Sequence, residues 1–568
     1  MTIRWLLLVT LLFFSSIAMA QGAEQVPALD LSNSCSNNRT DSEHDQSLTR
    51  QLDSQENYPK AATGKKIIDI ELRQLNVFDT DKPEENNALF RFANRYHIQT
   101  KPEVLKSVLL FQEGDDYVPR KLAESERLLR QQSYLYDARI YAVENCDGDI
   151  LVTVITRDLW TLLPDLSFSR SGGENTSRIG FRESNLLGYG KRLSFTHIKE
   201  VDRAGYLFVY DDPNILGSRY TGRIEYSDND DGERHYVSVN YPFFATDTPY
   251  SYGFTNFSDE REEPIYSGGE TVSEFNQKRD VSQFYFGHSQ ALGGNWTRRL
   301  IAGYRHEEYR FSAIPETTLA IARDRSLSYP YVQAQWFEDS FVKVRNFDSI
   351  YRTEDLNLGW NIRALLGYSP TAWSDDDERL IYSLNADTAH YTSDNSLWRF
   401  AMDLNGNWNQ HTDRAENLIA SFNIQYYLNT SLYQSWFLNA SYSYGKNLTL
   451  DKQITLGGET GLRGYPIKYQ QGSKRVLLNI EKRFYWEYDL WRLFKVGGAA
   501  FFDVGKAYDS HLAINANEST LKNIGLGLRL APSRANSDIM LHIDVAAPLG
   551  GPDDVDDVQW LFTVKNRF

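Results

Sequence analysis

Residues 456–466 read Leu456-Gly457-Gly458-Glu459-Thr460-Gly461-Leu462-Arg463-Gly464-Tyr465-Pro466. Four glycines in eleven residues do not suit the interior of a strand or helix, where glycine loses the most entropy and packs nothing. The stretch is therefore a loop, and it carries one cation, Arg463, between Leu462 and Tyr465. Before it, residues 436–444 alternate apolar and polar, as a half-buried strand does. After it, residues 475–485 alternate again, and four further such segments lead to Phe568.

These last segments show the pattern most plainly. Val476, Leu478 and Ile480 share one face, and Asn479, Glu481 and Arg483 the other. Ile524, Leu526, Leu528 and Leu530 line one face of a later segment. Ile539, Leu541, Ile543 and Val545 do so against His542 and Asp544, and Trp560, Phe562, Val564 and Phe568 close the chain. The alternation extends back through 418–428, 397–408, 380–391, 356–368, 329–337 and 296–309 to residue 165, with no helical period. One apolar and one wet face per segment predicts an all-β transmembrane barrel over 165–568, lipid outside and water inside. The segments number about twenty, within the known barrel range. A soluble sandwich or propeller is the alternative.

Bulk composition fits a barrel. Of 568 residues 14% are aromatic, including 35 Tyr and 30 Phe, while only 41% are hydrophobic and mean hydropathy is −0.50. Such a chain looks soluble on average because only alternate residues meet lipid. Residues 1–20 read as a secretory signal peptide: Arg4 at its start, an apolar core over 5–14, and Ala18-Met19-Ala20 at the cleavage site. The net charge of −16 argues against nucleic acid as a partner. Cys35 and Cys146 either pair or stay as thiols, and are too few for a zinc site. No metal or cofactor motif is present.

Residues 21–65 are polar and aperiodic and read as a disordered leader; a short plug helix is the alternative. Residues 66–158 read as one small α/β unit. A strand over 67–77 precedes a short helix over 87–97. A second helix over 102–111 puts Leu105, Val108 and Leu109 on one face. Pro119 opens another that runs through 132, lined by Leu122, Leu128 and Leu129. Strands over 139–145 and 149–156 join across Asp147-Gly148, a hairpin signal.

The Leu462-Arg463-Gly464-Tyr465 loop, five strands before a terminal Phe568, resembles the sixth extracellular loop of BamA-type outer-membrane assembly and translocation proteins. Leu186-Leu187-Gly188-Tyr189-Gly190 is similar to an early turn of that family's barrel. The strand–helix–helix–strand–strand order of 66–158, with the wording of 109–117 and 125–140, resembles its POTRA domain. The resemblance implies a barrel of about sixteen strands in the bacterial outer membrane, with one POTRA in the periplasm. It implies that the loop (Gly461, Leu462, Arg463, Gly464, Tyr465) folds inward, where Arg463 meets Glu481 and Asp503 beside Phe501. It assigns membrane targeting to the C-terminal Trp560, Phe562, Val564 and Phe568. It implies insertion or translocation of polypeptides, with no reaction and no cofactor. The implied partners are unfolded or exported polypeptide clients, captured on a POTRA strand edge, together with outer-membrane lipid and lipopolysaccharide. The chain departs from relatives with five POTRAs, from those with two and a plug helix, and from patatin fusions. A passive outer-membrane channel is the alternative.

Other candidates are weaker. Gly287-His288-Ser289-Gln290-Ala291 lacks the second glycine and following helix of a nucleophile elbow. The acidic groups Asp228-Asn229-Asp230-Asp231, Asp259-Glu260, Asp375-Asp376-Asp377-Glu378 and Asp553-Asp554 read as outer loops. They are either solvated charge or cation bridges to lipopolysaccharide.

Overall fold

The computed structural model describes residues 62–171, 173–344, 346–350, 353–374, 376–509, 519–534, 540–550 and 555–565. The signal peptide, Cys35, Asp553-Asp554, Phe568 and the leader up to residue 61 lie outside the described residues. Residues 62–65, read as the end of the leader, belong to the folded unit. Ala62 is buried in its core, and the Lys65 carbonyl accepts from the Tyr117 amide at 2.7 Å.

The N-terminal unit comprises β1 (Ile67–Leu75), α1 (Ala88–Tyr96), α2 (Pro102–Val108), α3 (Pro119–Arg130), β2 (Leu135–Glu144) and β3 (Ile150–Asp158). Asn87 caps α1 by accepting from the Phe90 amide, while Pro102 and Pro119 open α2 and α3 at positions where no amide donor is missed. The sheet order is β1-β3-β2, with β1 parallel and β2 antiparallel to β3. Leu105, Leu122 and Leu129 from the helices pack on Ile67, Ile140, Ile150 and Val154 from the sheet.

The remainder is a closed barrel of twenty strands, from Leu162–Ser171 to Gln559–Lys565, with neighbours paired antiparallel. The count by alternation, about twenty, agrees with this number; the sixteen implied by the resemblance are not what the chain forms. The first strand begins at Leu162 rather than 165. The span 356–368 is not one strand: Asn357 turns the chain by accepting from the Ser340 and Gly359 amides, and the barrel strand starts at Asn361.

Burial is inverted relative to a soluble protein. Ile524, Leu526, Trp560, Leu166, Phe168, Phe284 and Phe286 are exposed on the outer wall, whereas Glu481, Asp503, Asn523, Arg529, His542 and Asp544 are buried inside. An exposed apolar wall around a charged interior is the surface of a barrel that sits in lipid. The strands Tyr250–Ser267, Glu270–Gly293 and Trp296–Ala313 have 18, 24 and 18 residues. Crossing takes only about 9–11, so these strands project beyond the apolar band. Asp259-Glu260, read as a loop, lies in the first of them. Asp231 and Asp259 pair with Arg203, and Asp376 with Arg379, so these acids are part of ion-pair clusters. Among the described residues no group of metal-binding side chains is assembled.

The N-terminal unit bears on one rim. Lys101 donates from its amide to the Gly188 carbonyl (2.9 Å), Arg219 to the Leu109 carbonyl (2.8 Å), and Thr246 to Glu124 (2.7 Å). Arg534 pairs with Glu85. These contacts all involve turns from even-numbered to odd-numbered barrel strands, so they define a near rim. The Gly-rich loop joins the fifteenth and sixteenth strands and belongs to the far rim.

Candidate functional site

The loop between Gln434–Lys446 and Lys474–Leu490 does not project outward. Its neck is a short ladder of Ile454–Leu456 with Gln470–Gly472. Beyond it the chain makes a single turn, Gly458–Thr460, closed by the Gly457 amide donating to Thr460 Oγ1 at 2.8 Å. Gly461 then adopts φ +111°, a left-handed conformation that an L side chain strains to reach. Gly464 lies so close to the wall that a Cβ would stand 2.6 Å from Asn523 Cβ. These two glycines let the loop turn and settle against the wall. Leu462 and Tyr465, both fully buried, pack with Leu456, Tyr469, Leu477, Ala507 and Leu521. That cluster gives the inward loop an apolar anchor against the entropy of ordering it.

The anchor delivers Arg463 to the inner wall. Its Nε and Nη2 donate to the two oxygens of Asp503 at 2.9 and 2.7 Å. Its Nη1 donates to Glu481 at 2.7 Å, and its guanidinium carbon lies 3.4 Å from the Phe501 ring centroid. Glu481 pairs with Phe501, and Asn479 with Asp503, in the ladder of Lys474–Leu490 with Phe494–Tyr508. The two acids are thus diagonal neighbours on one inward face. Asn479 donates to Asp503 (2.8 Å) and to the Gly461 carbonyl (2.7 Å), and Asn523 donates to Asp503 (2.8 Å). Burial alone would push Arg463 down, but Asp503 and Glu481 outweigh it and hold the guanidinium above its ordinary value. A planar fork that stays charged is suited to this seat.

Every residue expected in the loop and on its wall is therefore in one constellation. Trp560, Phe562 and Val564 are not part of it: they face outward and are exposed on the last strand. That strand closes the barrel by pairing Phe562 with Arg170.

Several known structures are similar to this chain. CdiB from Acinetobacter baumannii has 13% identity and a TM-score of 0.44, over 89% of this chain and 73% of that one. CdiB from Escherichia coli has 14% identity and a TM-score of 0.44, over 88% and 76%. BamA from Haemophilus ducreyi lacking POTRA domains 1–3 has 12% identity and a TM-score of 0.41, over 88% and 84%. No family model matches the chain, and no curated protein does.

Sequence reading missed a second lumenal element. The connection over 339–360, on the near rim, forms a hairpin of Phe341–Val344 with Glu354–Asn357, and its tip enters the barrel. Phe347 stacks on Tyr427 with centroids 3.8 Å apart. Asp348 accepts from Arg399 (3.1 Å) and from the Tyr427 hydroxyl (3.0 Å). The Phe347 carbonyl accepts from Arg483 (3.2 Å), and that of Asn346 from Tyr485 (3.1 Å). Arg483 also donates to Glu481 at 3.1 Å, so one side chain touches both the hairpin and the seat of Arg463. The hairpin's base is tied to α3: Arg130 donates twice to Asp355 (2.8 and 2.6 Å), and Lys343 pairs with Glu126. The only sequence signal was length, since turns on such a rim are usually short.

Proposed function

We propose that the chain is a BamA-type protein of the bacterial outer membrane that inserts or translocates polypeptides, with its N-terminal unit as a single periplasmic POTRA. The observation that carries this reading is the Gly-rich loop folded into the barrel, with Arg463 seated on Glu481 and Asp503. The near rim is then periplasmic and the far rim extracellular. The apolar wall meets outer-membrane lipid, and the projecting strands stand among lipopolysaccharide. β1 and β2 are the edges of the small sheet, so an extended client strand has unpaired backbone to add to. No reaction and no cofactor enter this function; the work is recognition and guidance of a chain. Neither partner class involves nucleic acid. The similar solved structures include proteins titled CdiB and BamA, and handling of polypeptides is the activity proposed here by analogy.

A passive channel is the competing function. Two elements occupying the lumen from opposite rims speak for a guided device over an open pore. The test is to deplete the protein in its native cells and compare outer-membrane and exported polypeptides by quantitative proteomics. Wild type should restore a defined set of polypeptides and Arg463→Ala should not, although it still forms a barrel. Unchanged client levels on depletion, with a large steady conductance in planar bilayers, would make the channel the correct reading.

A further inference from the structure

The wall beneath the hairpin tip consists of donors and an aromatic slot. Arg399, Arg483 and the hydroxyls of Tyr427 and Tyr485 point at the tip. Phe347 lies in a buried slot with Ala389, Leu397 and Tyr427, flanked by Phe437. Ile350 enters a second cluster, with Tyr485, Ala499, Ala531 and Met540. The tip presents acceptors in return: two backbone carbonyls and the Asp348 carboxylate. Its own amides at Phe347, Asp348 and Ser349 are turned inward onto Glu354, which accepts all three (3.0, 2.9 and 3.3 Å). Two of the four hydrogen bonds from the wall are therefore with backbone, which any polypeptide carries, and the other two go to the Asp348 carboxylate, while the slot reads the adjacent aromatic ring.

We propose that this lumenal patch is a polypeptide-binding site and that the hairpin tip occupies it as an internal stand-in for a client. The ligand class is an extended peptide bearing an aromatic residue followed by a carboxylate. This inference rests on the proposed handling of polypeptides and names the feature of the chain that is recognised. The hairpin is suited to being exchanged. Its ladder has four residue pairs, and its base is held by the α3 ion pairs, which lie on the unit proposed to meet clients first. A client that moved α3 would release the occupant of the very patch the client needs. Emptying the patch would also withdraw the Phe347 carbonyl from Arg483, which holds Glu481 of the Arg463 seat.

The test uses the full chain in lipid nanodiscs and a fluorescent peptide, Asn-Phe-Asp-Ser-Ile, with Asn-Ala-Asn-Ser-Ile as control. In wild type the patch is filled, so apparent affinity is reduced by the fraction of molecules with the hairpin out. The F347A/D348A protein, whose tip no longer fills the slot, should bind the Phe-Asp peptide about ten-fold or more tighter than wild type. Adding R399A should lower its preference over the control, with the aromatic slot and the Tyr427 hydroxyl left in place. If F347A/D348A fails to fold, as judged by heat-modifiable migration, D355A loosens the hairpin base without touching the patch and should show the same gain. No binding of the peptide to a folded F347A/D348A or D355A protein would overturn the proposal and leave the tip as structural packing. Peptide binding that tightens as expected, in a protein whose depletion alters no cellular polypeptide, would keep the site and remove the proposed cellular function. Normal client handling without peptide binding would do the reverse.

Discussion

Two segments enter this barrel, from opposite rims and with different chemistry. From the far rim, the loop over 447–473 brings a guanidinium to two carboxylates, all three nearly inaccessible to solvent. From the near rim, the hairpin over 341–357 brings a ring, an acid and two carbonyls to a wall of donors. The first seat is charge against charge. Asp503 would be left buried without a counter-ion if the loop withdrew, and Glu481 would keep Arg483 alone, so the loop behaves as a latch with one fitting key. The second seat is largely generic to polypeptide, and its partners on both sides have other bonds to fall back on. Arg483 keeps Glu481, and the tip's amides keep Glu354. The contrast implies that the loop should be intolerant of substitution and the hairpin exchangeable.

The largest expected effect tests the first half of that contrast. Arg463→Ala leaves Asp503 without its cation and Glu481 with Arg483 alone, and breaking a buried pair from one side costs about 3–5 kcal/mol. The loop should become cleavable near Gly461 by protease added to intact cells, while heat-modifiable migration shows the barrel still closed. Arg463→Lys should restore protection only in part, since an ammonium cannot bridge Asp503 and Glu481 as a fork does. Equal cleavage of wild type and both variants would mean that Arg463 is no latch.

The next effect separates the latch's charge from its anchor. Leu462 has no exposed surface and lies in the cluster that pins the loop. Leu462→Ala should weaken docking by about 2–4 kcal/mol through lost burial and a residual cavity. Hydrogen exchange of the Gly461 and Gly464 amides should rise while the pairing of Arg463 is retained in most molecules. Unchanged exchange would show that the ion pairs alone hold the loop.

The latch was legible in the sequence and the hairpin was not, for physical reasons. A cation among glycines, followed by strands with strict two-residue alternation, places Glu481 on the inward face, and the strong period also separates Ile524 from Asn523. The role of Asn479 and Asn523 in holding Asp503 was hidden because an asparagine on a wet face looks the same whether it binds water or a carboxylate. The hairpin was obscured differently. Residues 356–368 keep an alternating pattern straight through the turn at Asn357, so period alone merged a lumenal strand with a wall strand. No local signal says that Phe347 faces Tyr427, which is 80 residues away in the chain. The strand total was visible because each strand carries its own apolar stripe, whereas family resemblance implied fewer.

A third effect concerns the tie between hairpin and α3, and its direction follows from Glu126. Burial pushes this carboxyl up, but Arg130 and Lys343 outweigh burial and hold it below its ordinary value of 4.5. Its folded value is thus lower than its unfolded one, so its contribution is complete above about 4.5 and is lost as pH falls through the lower folded value. Amide exchange in Phe341–Val344 and Glu354–Asn357, corrected for intrinsic rates, should be flat from neutral pH to that point and rise below it. Release of the hairpin already near neutral pH would mean that Glu126 does not hold it. The loop latch should not follow the same profile, because Glu126 lies outside its seat.

The smallest effect sharpens the second half of the contrast. Tyr427 serves the hairpin twice: its ring stacks on Phe347 at 3.8 Å, and its hydroxyl donates to Asp348 at 3.0 Å. Tyr427→Phe keeps the ring and removes the donor. Asp348 retains Arg399 at 3.1 Å, so no carboxylate is left without a partner, and the loss should be that of one hydrogen bond, about 0.5–1.5 kcal/mol. Tyr427→Leu removes the stacked pair as well and should cost about 0.5–1.5 kcal/mol more beyond simple burial. The readout is thiol labelling of an added Ile350→Cys, a position buried against Tyr485, Ala499, Ala531 and Met540 that becomes accessible only when the tip moves. Tyr427→Phe should speed it about ten-fold or less, and Tyr427→Leu clearly more. If Tyr427→Phe instead matched the loss seen on breaking the Arg463 seat, the hairpin would be a second latch of the same kind. The distinction between a keyed seat and an exchangeable one would then collapse.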